Sequence, residues 1–498
     1  MQIARLDKKQ TTRLFYSLAG SVLLVFLLTS EQKDPFVQAS GIFLGILCLY
    51  PLYLWLLKST RGLPLWPIFC MVTGITMALP MVQNPASVAR YSPEEIVTGG
   101  ATVSGFIILG TVVWFFMLAR PPRPPRRVFM VSREHAQAYL FVFVAAGLLF
   151  QLNQSVGFLQ FPGNTMQIIR GVCVSLNTLG LFVLSFYYGQ GVLQRSQVVL
   201  LILLGAATAL VAITGLLLIN LVVPVAMMLF GFMLGSGRVP WKGLAATIVV
   251  LAVLHPGKFA MRQMAAERGY RLSLSTLPSF YAEWIGYSFE EVGSIAGALK
   301  TTSQEGEKST MFERSGNLHM LLLVEKMSPD QVPFMNGLTY QHIPRMLVPR
   351  FLDEEKGVSH AGNMILSVNY GLQTEEGTRG TSIGWGLIPE AYANFGYTGV
   401  AFLAVLLALF YSFAERISVN VPMTSLRFVV SLLFMAAATQ ADTMGVFVTT
   451  QFQGIAGVTL ASVLLMRRQP NPFAEEQEVE VRGIFEFFGK DVCGIAFS

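Results

Sequence analysis

Long apolar runs separated by short polar loops make up most of the chain. An α-helix needs about 20 apolar residues to cross the hydrocarbon core of a bilayer. Runs that approach this length predict about twelve membrane-spanning helices, and hence an all-α polytopic membrane protein. In chain order the predicted spans are about Leu14–Thr29, Phe36–Leu57, Leu65–Val82, Ala101–Leu118, Tyr139–Phe150, Ile168–Tyr188, Val198–Thr214, Leu216–Leu234, Leu244–His255, Val400–Phe413, Leu426–Gln440 and Val446–Met466.

The pattern changes once, where a long polar insert separates the ninth span from the tenth. The predicted organisation is a membrane bundle over residues 1–255, the insert over 256–395, the last three spans over 396–468 and a tail over 469–498. Within the insert we predict short helices at about Ser279–Lys300, Thr310–Lys326 and Gly337–Val348, followed by a loop over Phe351–Gly386. A polar insert in such a chain is where chemistry is expected.

Composition agrees with a membrane protein. Of the 498 residues, 53% are hydrophobic and only 13% are charged, and the mean hydropathy is +0.55. Water-soluble domains carry about 25% charged residues. The net charge of +6 comes from basic residues in short loops between apolar runs, which is typical of membrane topology and does not indicate a nucleic-acid partner. The four cysteines have no metal-ligand spacing, so we expect neither disulfides nor a zinc site.

Basic loops also predict the orientation of the chain. Cytoplasmic loops of membrane proteins carry an excess of Lys and Arg. The loop after the fourth span, Arg120–Arg127, holds four arginines and is the strongest such marker. Alternation through twelve spans then predicts that both termini are cytoplasmic and that the insert is extracytoplasmic.

Arginines in the insert are candidates for binding phosphate, because the guanidinium fork bonds two oxygens at once and keeps its charge. They are Arg314, Arg345, Arg350 and Arg379. The alternative is that each arginine pairs with an acidic neighbour such as Asp353.

Glu390 and His342 are the candidates for a general base. Glu390 lies just before the tenth span. It could accept a proton, hold an arginine in place, or act only as an acidic residue at a helix N-terminus after Pro389. A polar stretch around Asp442, before the last span, could line a cavity or cap two helices.

The order of motifs in the insert resembles a known family. An arginine-bearing helix (Arg314) is followed by Pro333–Tyr340, which reads PFMNGLTY, then by Ile343-Pro344-Arg345 and Val348-Pro349-Arg350, and finally by Glu390–Gly396, which reads EAYANFG. This order is similar to that of the Wzy-type oligosaccharide repeat-unit polymerases of bacterial surface polysaccharides. The resemblance covers about Arg314–Gly399, and the rest of the chain agrees in topology.

The resemblance implies a metal- and cofactor-independent membrane glycosyltransferase of the bacterial inner membrane. Such an enzyme transfers a growing glycan from polyprenyl diphosphate to the next lipid-linked repeat unit at the outer leaflet. By this resemblance the four arginines bind diphosphate, Glu390 or His342 is the base, and Tyr340, Tyr392 and Asn394 position the sugar. Expected partners are the lipid-linked oligosaccharide, membrane lipid, a chain-length regulator and export machinery, with no nucleic acid.

Three other functions fit the same pattern. An O-antigen ligase uses similar donors and a different acceptor. A flippase for lipid-linked sugars or polysaccharide would place ionisable groups at mid-membrane, whereas the centres of these apolar runs carry almost no charge. A structural subunit of an export complex would tolerate exchange of the arginines.

Overall fold

The computed structural model describes residues 8–57, 62–120, 122–159, 163–216, 218–268, 272–298, 317–348, 352–353, 357–380, 382–439 and 442–474. These residues form two compact units, each built from discontinuous stretches of chain. The first unit comprises Met1–Met130, Ser309–Ile455 and Arg467–Ser498, and the second comprises Val131–Lys308 and Ala456–Met466.

The described residues are almost entirely helical. In chain order the helices are α1 (Lys8–Leu28), α2 (Pro35–Leu56), α3 (Leu65–Thr73), a π-helical turn (Gly74–Ala78), α4 (Leu79–Gln83), α5 (Ala86–Ala89), α6 (Pro93–Met117), α7 (Arg133–Val156), α8 (Gly163–Gly189), α9 (Arg195–Ile213), α10 (Ile219–Ser236), α11 (Trp241–Arg268), α12 (Leu277–Ala298), α13 (Leu318–Met327), α14 (Ile343–Leu347), α15 (Ala361–Asn369), α16 (Glu375–Gly380), α17 (Leu387–Ile417), α18 (Leu426–Ala438) and α19 (Met444–Leu465). Two short strands, β1 (Arg127–Val131) and β2 (Met466–Pro470), pair with each other. The predicted all-α class is confirmed.

Nine of the helices in the described part of the chain are long and apolar enough to cross a membrane. They account for nine of the predicted spans. Two more apolar helices, Asn220–Ser236 and Leu426–Ala438, are shorter and coincide with the eighth and eleventh predicted spans. The ninth predicted span falls within α11, which is not among the nine. These helices identify the chain as a multi-pass membrane protein. The total of twelve membrane spans remains a prediction.

Loops that the basic-residue pattern places on one side lie together in the first unit. Strand β1 follows α6 and pairs with β2, which follows α19. Arg416, at the end of α17, donates from Nη1 to the carbonyl oxygens of Met117 at 2.7 Å and Arg120 at 2.9 Å. The C-terminal ends of α6 and α17 thus meet in the first unit.

The opposite ends of the first unit's helices meet the insert. The amide of Asn317 donates to the carbonyl of Thr76 in the π-helical turn, at 3.0 Å. Helix α6 begins at a capping box in which Ser92 and Glu95 satisfy each other's backbone amides. Gly99, in its second turn, allows Leu322 of α13 to pack closely, because an added Cβ would lie 2.7 Å from that side chain. The part of the insert that lies in the first unit is therefore anchored on α6 and the π-helical turn.

The structure has a helix at each of the three positions predicted within the insert, and it corrects the prediction of the loop that follows them. Helix α12 matches the first of them, α13 matches the second over Leu318–Met327, and α14 is a single turn inside the third. The prediction of a loop over Phe351–Gly386 is wrong, since α15 and α16 lie there. Glycines and polar residues suggested a loop, but α15 buries Leu366 and Ser367 completely, and this tertiary packing outweighs a weak local propensity.

Helices α7 to α12 and the last turns of α19 belong to the second unit. Gly231 and Gly235 of α10, spaced four residues apart, pack directly on the backbone carbonyls of Phe182 and Phe186 of α8. Small residues at this spacing let membrane helices approach closely. A separate core cluster links α9 through α12 around Trp284, whose indole Nε1 donates to the carbonyl of Leu254 at 2.7 Å.

Candidate functional site

A buried polar cluster surrounds the first turns of α17. The chain enters this helix through Gly386, whose φ of 92° favours glycine. Glu390 follows in the first turn, and its side chain is 0% exposed. Its Oε2 accepts a hydrogen bond of 2.6 Å from the amide of Met444 at the start of α19. Its Oε1 makes no hydrogen bond to any residue that the structure describes. A buried carboxylate oxygen without a donor is costly, and its position here requires an explanation.

Asn394, one turn further along α17, connects this helix to the loop before α14. Its Nδ2 donates to Thr339 Oγ1 and to the carbonyl of Glu390, both at 2.8 Å. Its Oδ1 accepts from the amide of Gly337 at 3.0 Å. These three hydrogen bonds satisfy both polar atoms of the Asn394 side chain, which is fully buried. The amide side chain therefore fixes the loop on the helix.

A break in α17 provides two further attachment points for this loop. Gly396 has φ 61° and ψ −147°, a conformation almost restricted to glycine. Before the break, the carbonyls of Ala393 and Asn394 accept hydrogen bonds from the amides of Met335 at 3.0 Å and Asn336 at 3.1 Å. The motif PFMNGLTY is therefore held against the motif EAYANFG by backbone and side-chain contacts.

A second part of the cluster comes from α15 and the segment before α19. Asp442 Oδ1 accepts from Asn363 Nδ2 at 2.9 Å and from the amide of Thr443 at 2.7 Å. Asn363 and Thr443 are both buried. Glu390 and Thr443 lie against the same point of α15, because a Cβ on Gly362 would lie 3.2 Å from Glu390 Oε1 and 3.6 Å from Thr443 Oγ1. Asp442 thus adjoins the Glu390 cluster and binds the amide of Thr443, immediately before α19.

Two of the three residues predicted to position sugar face this cluster. Tyr340 lies beside Glu390 and Asn394, and burial together with the Glu390 carboxylate raises the pKa of the Tyr340 hydroxyl. Tyr392 lies on the other face of α17, where its ring contacts Phe334 and Tyr397 with centroids 6.1 and 5.1 Å apart. This difference follows from the helix period, since residues 390 and 394 share a face and residue 392 does not.

The predicted diphosphate-binding residues are only partly described. Arg314 and Arg350 lie outside the described residues. Arg345 is exposed and forms a bidentate ion pair with Asp353, including Nη2 to Oδ1 at 2.8 Å, which is the alternative that the sequence left open. Arg379 is exposed on α16, and His342 is exposed at the start of α14. Diphosphate binding by the four arginines together remains a prediction.

Sequence reasoning did not select Thr339, Asn363 or Thr443. Thr339 lies in the PFMNGLTY motif but had no role assigned to it, whereas Asn363 and Thr443 belong to no motif. Each of the three enters the cluster from a different stretch of chain. The nearest sequence signal was the polar run around Asp442.

Glu325 of α13 is a further buried acid that the sequence did not single out as functional. Its Oε1 accepts from Thr102 Oγ1 of α6 at 2.6 Å, and its Oε2 is buried without a hydrogen bond to the described residues. Burial raises the pKa of Glu325 from 4.5 to about 7. The proton is therefore bound more tightly in the folded chain than in the unfolded one.

The pKa of Glu325 predicts how stability depends on pH. Its stabilising contribution should be complete below pH 4.5 and should be lost as the pH rises through about 7, since the folded state then has to hold a buried charge. Glu325→Gln keeps an acceptor for Thr102 and carries no charge. We expect the variant to match the wild type at pH 5 and to be more stable at pH 8, by at most about 3 kcal/mol. Denaturant unfolding of the full-length protein at both pH values measures this, and an equal difference at both would contradict it.

An apolar cavity of about 430 Å³ lies between α6 and α17. Its lining residues are Thr98, Ala101, Thr102, Gly105, Phe106, Leu109, Tyr397, Val400 and Ala401. Thr102 and Tyr397 connect it to Glu325 and Tyr392 respectively. The cavity therefore lies between two helices of membrane-spanning length.

No protein-family model, no curated protein and no solved structure matches this chain.

Proposed function

We propose that the protein is a membrane glycosyltransferase that polymerises lipid-linked oligosaccharide repeat units at the outer leaflet of a bacterial inner membrane. The observation that carries the proposal is the Glu390 carboxylate. It is buried at the start of a membrane-length helix, its Oε2 is bound by the Met444 amide, and its Oε1 makes no hydrogen bond to the described residues. We infer that this carboxylate accepts the proton.

The proposed reaction is the attack of a sugar hydroxyl on the anomeric carbon of a diphosphate-linked glycan. The C–O bond to diphosphate breaks, the new glycosidic bond forms, and the hydroxyl proton passes to Glu390. General-base catalysis of this kind typically contributes about 10²–10⁴-fold in rate. Tyr340 and Asn394, beside Glu390, would orient the acceptor sugar.

Departing diphosphate gains negative charge, which cationic groups have to stabilise. Arg345 and Arg379 are exposed on the same insert and would serve this purpose. For Arg345 the substrate would compete with Asp353 for a guanidinium that already binds two carboxylate oxygens. A diphosphate carries more charge than one carboxylate, so this exchange favours the substrate.

The lipid portion of the substrate needs an apolar binding surface. The cavity between α6 and α17 is lined mainly by aliphatic and aromatic side chains, and it reaches Tyr392 through Tyr397. We assign it to part of the polyprenyl chain. Membrane lipid is the competing occupant.

Replacing Glu390 tests the proposal, and the same helix offers a matched control. Glu415 is also a buried glutamate of α17, 1% exposed, and its Oε2 accepts from Trp114 Nε1 at 3.0 Å. We expect Glu390→Gln to reduce polymer formation by about 10²-fold or more. Glu415→Gln keeps an acceptor for Trp114 and should leave polymer close to wild-type levels.

The measurement is the chain-length distribution of surface glycan in cells that carry each variant as the sole copy, together with the transbilayer location of single lipid-linked repeats. Single repeats that accumulate in the outer leaflet without polymer support a polymerase. Single repeats trapped in the inner leaflet would indicate a flippase. Normal polymer that fails only to reach its final acceptor would indicate a ligase. Unchanged glycan in Glu390→Gln would contradict all catalytic roles of this residue.

A further inference from the structure

A surface rich in arginine lies at the end of the first unit where α6 and α17 meet. Residues 118–130, 418–427 and 467–474 contain seven arginines and no Asp or Glu. In the first and third of these stretches, five arginines are exposed and form no ion pair with any residue that the structure describes. We call these five the arginine face: Arg120, Arg123, Arg127, Arg467 and Arg468.

Buried Asn471 holds the three stretches together. Its amide donates to the carbonyl of Arg126 at 3.0 Å, and its Nδ2 donates to the carbonyls of Pro125 at 2.8 Å and Asn420 at 3.0 Å. Strands β1 and β2 pair beside this anchor. Every member of the arginine face except Arg120 therefore lies within four residues of the hydrogen bond between Arg126 and Asn471.

The next part of the chain carries the complementary charge. Ala474, three residues after Asn471, is buried, and residues 475–480 follow it with the sequence EEQEVE. We call this stretch of four glutamates the acidic segment. An extended chain spans at most about 3.6 Å per residue, so the acidic segment stays within about 22 Å of Ala474. The covalent connection alone thus keeps four carboxylates in the neighbourhood of the arginine face.

We propose that the acidic segment binds the arginine face of the same chain. One exposed ion pair contributes little by itself, because water screens the charges and both side chains lose conformational freedom. A segment tethered by a few residues, however, is present at an effective concentration on the order of millimolar, and this one brings four carboxylates to five guanidinium groups. Arginine suits the contact, because its planar fork binds both oxygens of a carboxylate.

Anionic lipid headgroups are the competing occupant of the arginine face, since exposed basic residues beside membrane-length helices attract them. Lipid bound there would leave the four glutamates close to a negative surface, and their attachment at Ala474 prevents them from moving away. Pairing between the acidic segment and the arginines removes this repulsion. The distribution of charge along the chain therefore favours the acidic segment as the occupant.

A spin label in the acidic segment tests the proposal. Val479→Cys introduces the attachment point without removing a charge. Cys173→Ala and Cys493→Ala remove two other cysteines, whereas Cys48 and Cys70 are buried. The full-length protein is placed in phosphatidylcholine nanodiscs and in nanodiscs that also contain phosphatidylglycerol. The readout is the ratio of motionally restricted to mobile label in the electron paramagnetic resonance spectrum.

Two variants with the same change in charge are compared in this background. The test variant alters three members of the arginine face: Arg127→Gln, Arg467→Gln and Arg468→Gln. The control variant alters three exposed basic residues of the second unit: Arg195→Gln, Arg238→Gln and Lys242→Gln.

We expect mainly restricted label in the unaltered background and in the control variant, in both kinds of nanodisc. The test variant should lower the ratio about tenfold, which corresponds to about 1.4 kcal/mol, or about 0.5 kcal/mol for each arginine. Raising NaCl to about 1 M, where the Debye length is about 3 Å, should release the label in the unaltered background as well.

Exchange of the four glutamates of the acidic segment for glutamine should release the label to the same extent. This change leaves every described residue intact, so the test does not depend on how well the arginine variant folds. A mobile label in the unaltered background, or an equally restricted label in the glutamine variant, would overturn the proposal. Label that is restricted in phosphatidylcholine but mobile with phosphatidylglycerol would also overturn it, because anionic lipid then occupies the arginine face. The measurement uses no glycan substrate and is independent of the proposed reaction.

Discussion

Asn394→Ala is expected to lower the free energy of unfolding by about 2–4 kcal/mol, because it leaves buried polar groups without partners. The substitution removes both hydrogen bonds donated by Asn394 Nδ2 and the acceptor for the Gly337 amide. The groups left behind include Thr339, which is 1% exposed. Denaturant unfolding of the purified full-length protein in one detergent measures the loss.

Asn369→Ala is the matched control for this prediction. Asn369 is exposed on α15, and its Nδ2 donates only to the carbonyl of Ile365 in the same helix, at 2.8 Å. Surface substitutions of this kind usually change stability by no more than about 0.5 kcal/mol. Equal losses in the two variants would show that Asn394 does not hold the loop. We also expect Asn394→Ala to abolish polymer under the proposed function, since it releases both Thr339 and the backbone of Glu390.

Gly396→Ala should destabilise the protein by about 1–3 kcal/mol through the backbone alone, because φ 61° with ψ −147° is a conformation that residues with a Cβ rarely adopt. The added methyl would also lie 2.9 Å from Phe334 Cζ, so the ring has to move. Phe334 is part of the loop that binds α17. Straightening the helix would return the carbonyls of Ala393 and Asn394 to the helix and release the amides of Met335 and Asn336.

Gly105→Ala provides the comparison for Gly396→Ala. Gly105 lies in the interior of α6, and an added Cβ would have no atom within 4 Å. Alanine is the better helix former at such a position, so stability should stay equal or rise slightly. The same unfolding measurement applies to both. A Gly396→Ala variant as stable as the wild type would mean that the break in α17 is not needed to seat the loop.

The two substitutions act on one contact between distant motifs. PFMNGLTY and EAYANFG are separated by about fifty residues in sequence, yet Asn394 and the carbonyls before Gly396 join them directly. The proposed base, Glu390, lies in the first turn of the helix segment that this contact holds. Local stability and proposed activity are therefore expected to fall together in these variants, whereas Glu390→Gln should affect activity more than stability.

The helices could be predicted from sequence because each depends on a local property. Twenty apolar residues such as those of α2 or α6 can satisfy their backbone in lipid only as a helix, whatever the neighbouring helices do. The start of α6 was nevertheless missed, since the fourth span was predicted from Ala101 and the helix begins at Pro93, where Ser92 and Glu95 form a capping box. By contrast, α15 was predicted as a loop, because its helix is supported by burial of Leu366 and Ser367 and not by its own composition.

The site could be predicted only in part. Glu390 and Asn394 were selected because both fall in a short motif at a helix start, and their common face follows from the helix period. Arg345 was selected by charge, but its ion pair with Asp353 could be stated only as an alternative. Glu325 was not selected as a functional group, because the burial that raises its pKa arises from packing against Thr102 of a distant helix.

The sequence by itself determined that the chain is a helical multi-pass membrane protein with a polar insert, since hydropathy and helix length are properties of continuous stretches. Only the tertiary structure decided that Glu390 and Thr443 both lie against Gly362 of α15, and that the Gly396 break frees carbonyls for a loop some fifty residues earlier. Convergence of this kind depends on how helices pack, and no local pattern of residues encodes it. The physical reason is that a buried polar atom takes its partner from whatever lies nearest in space.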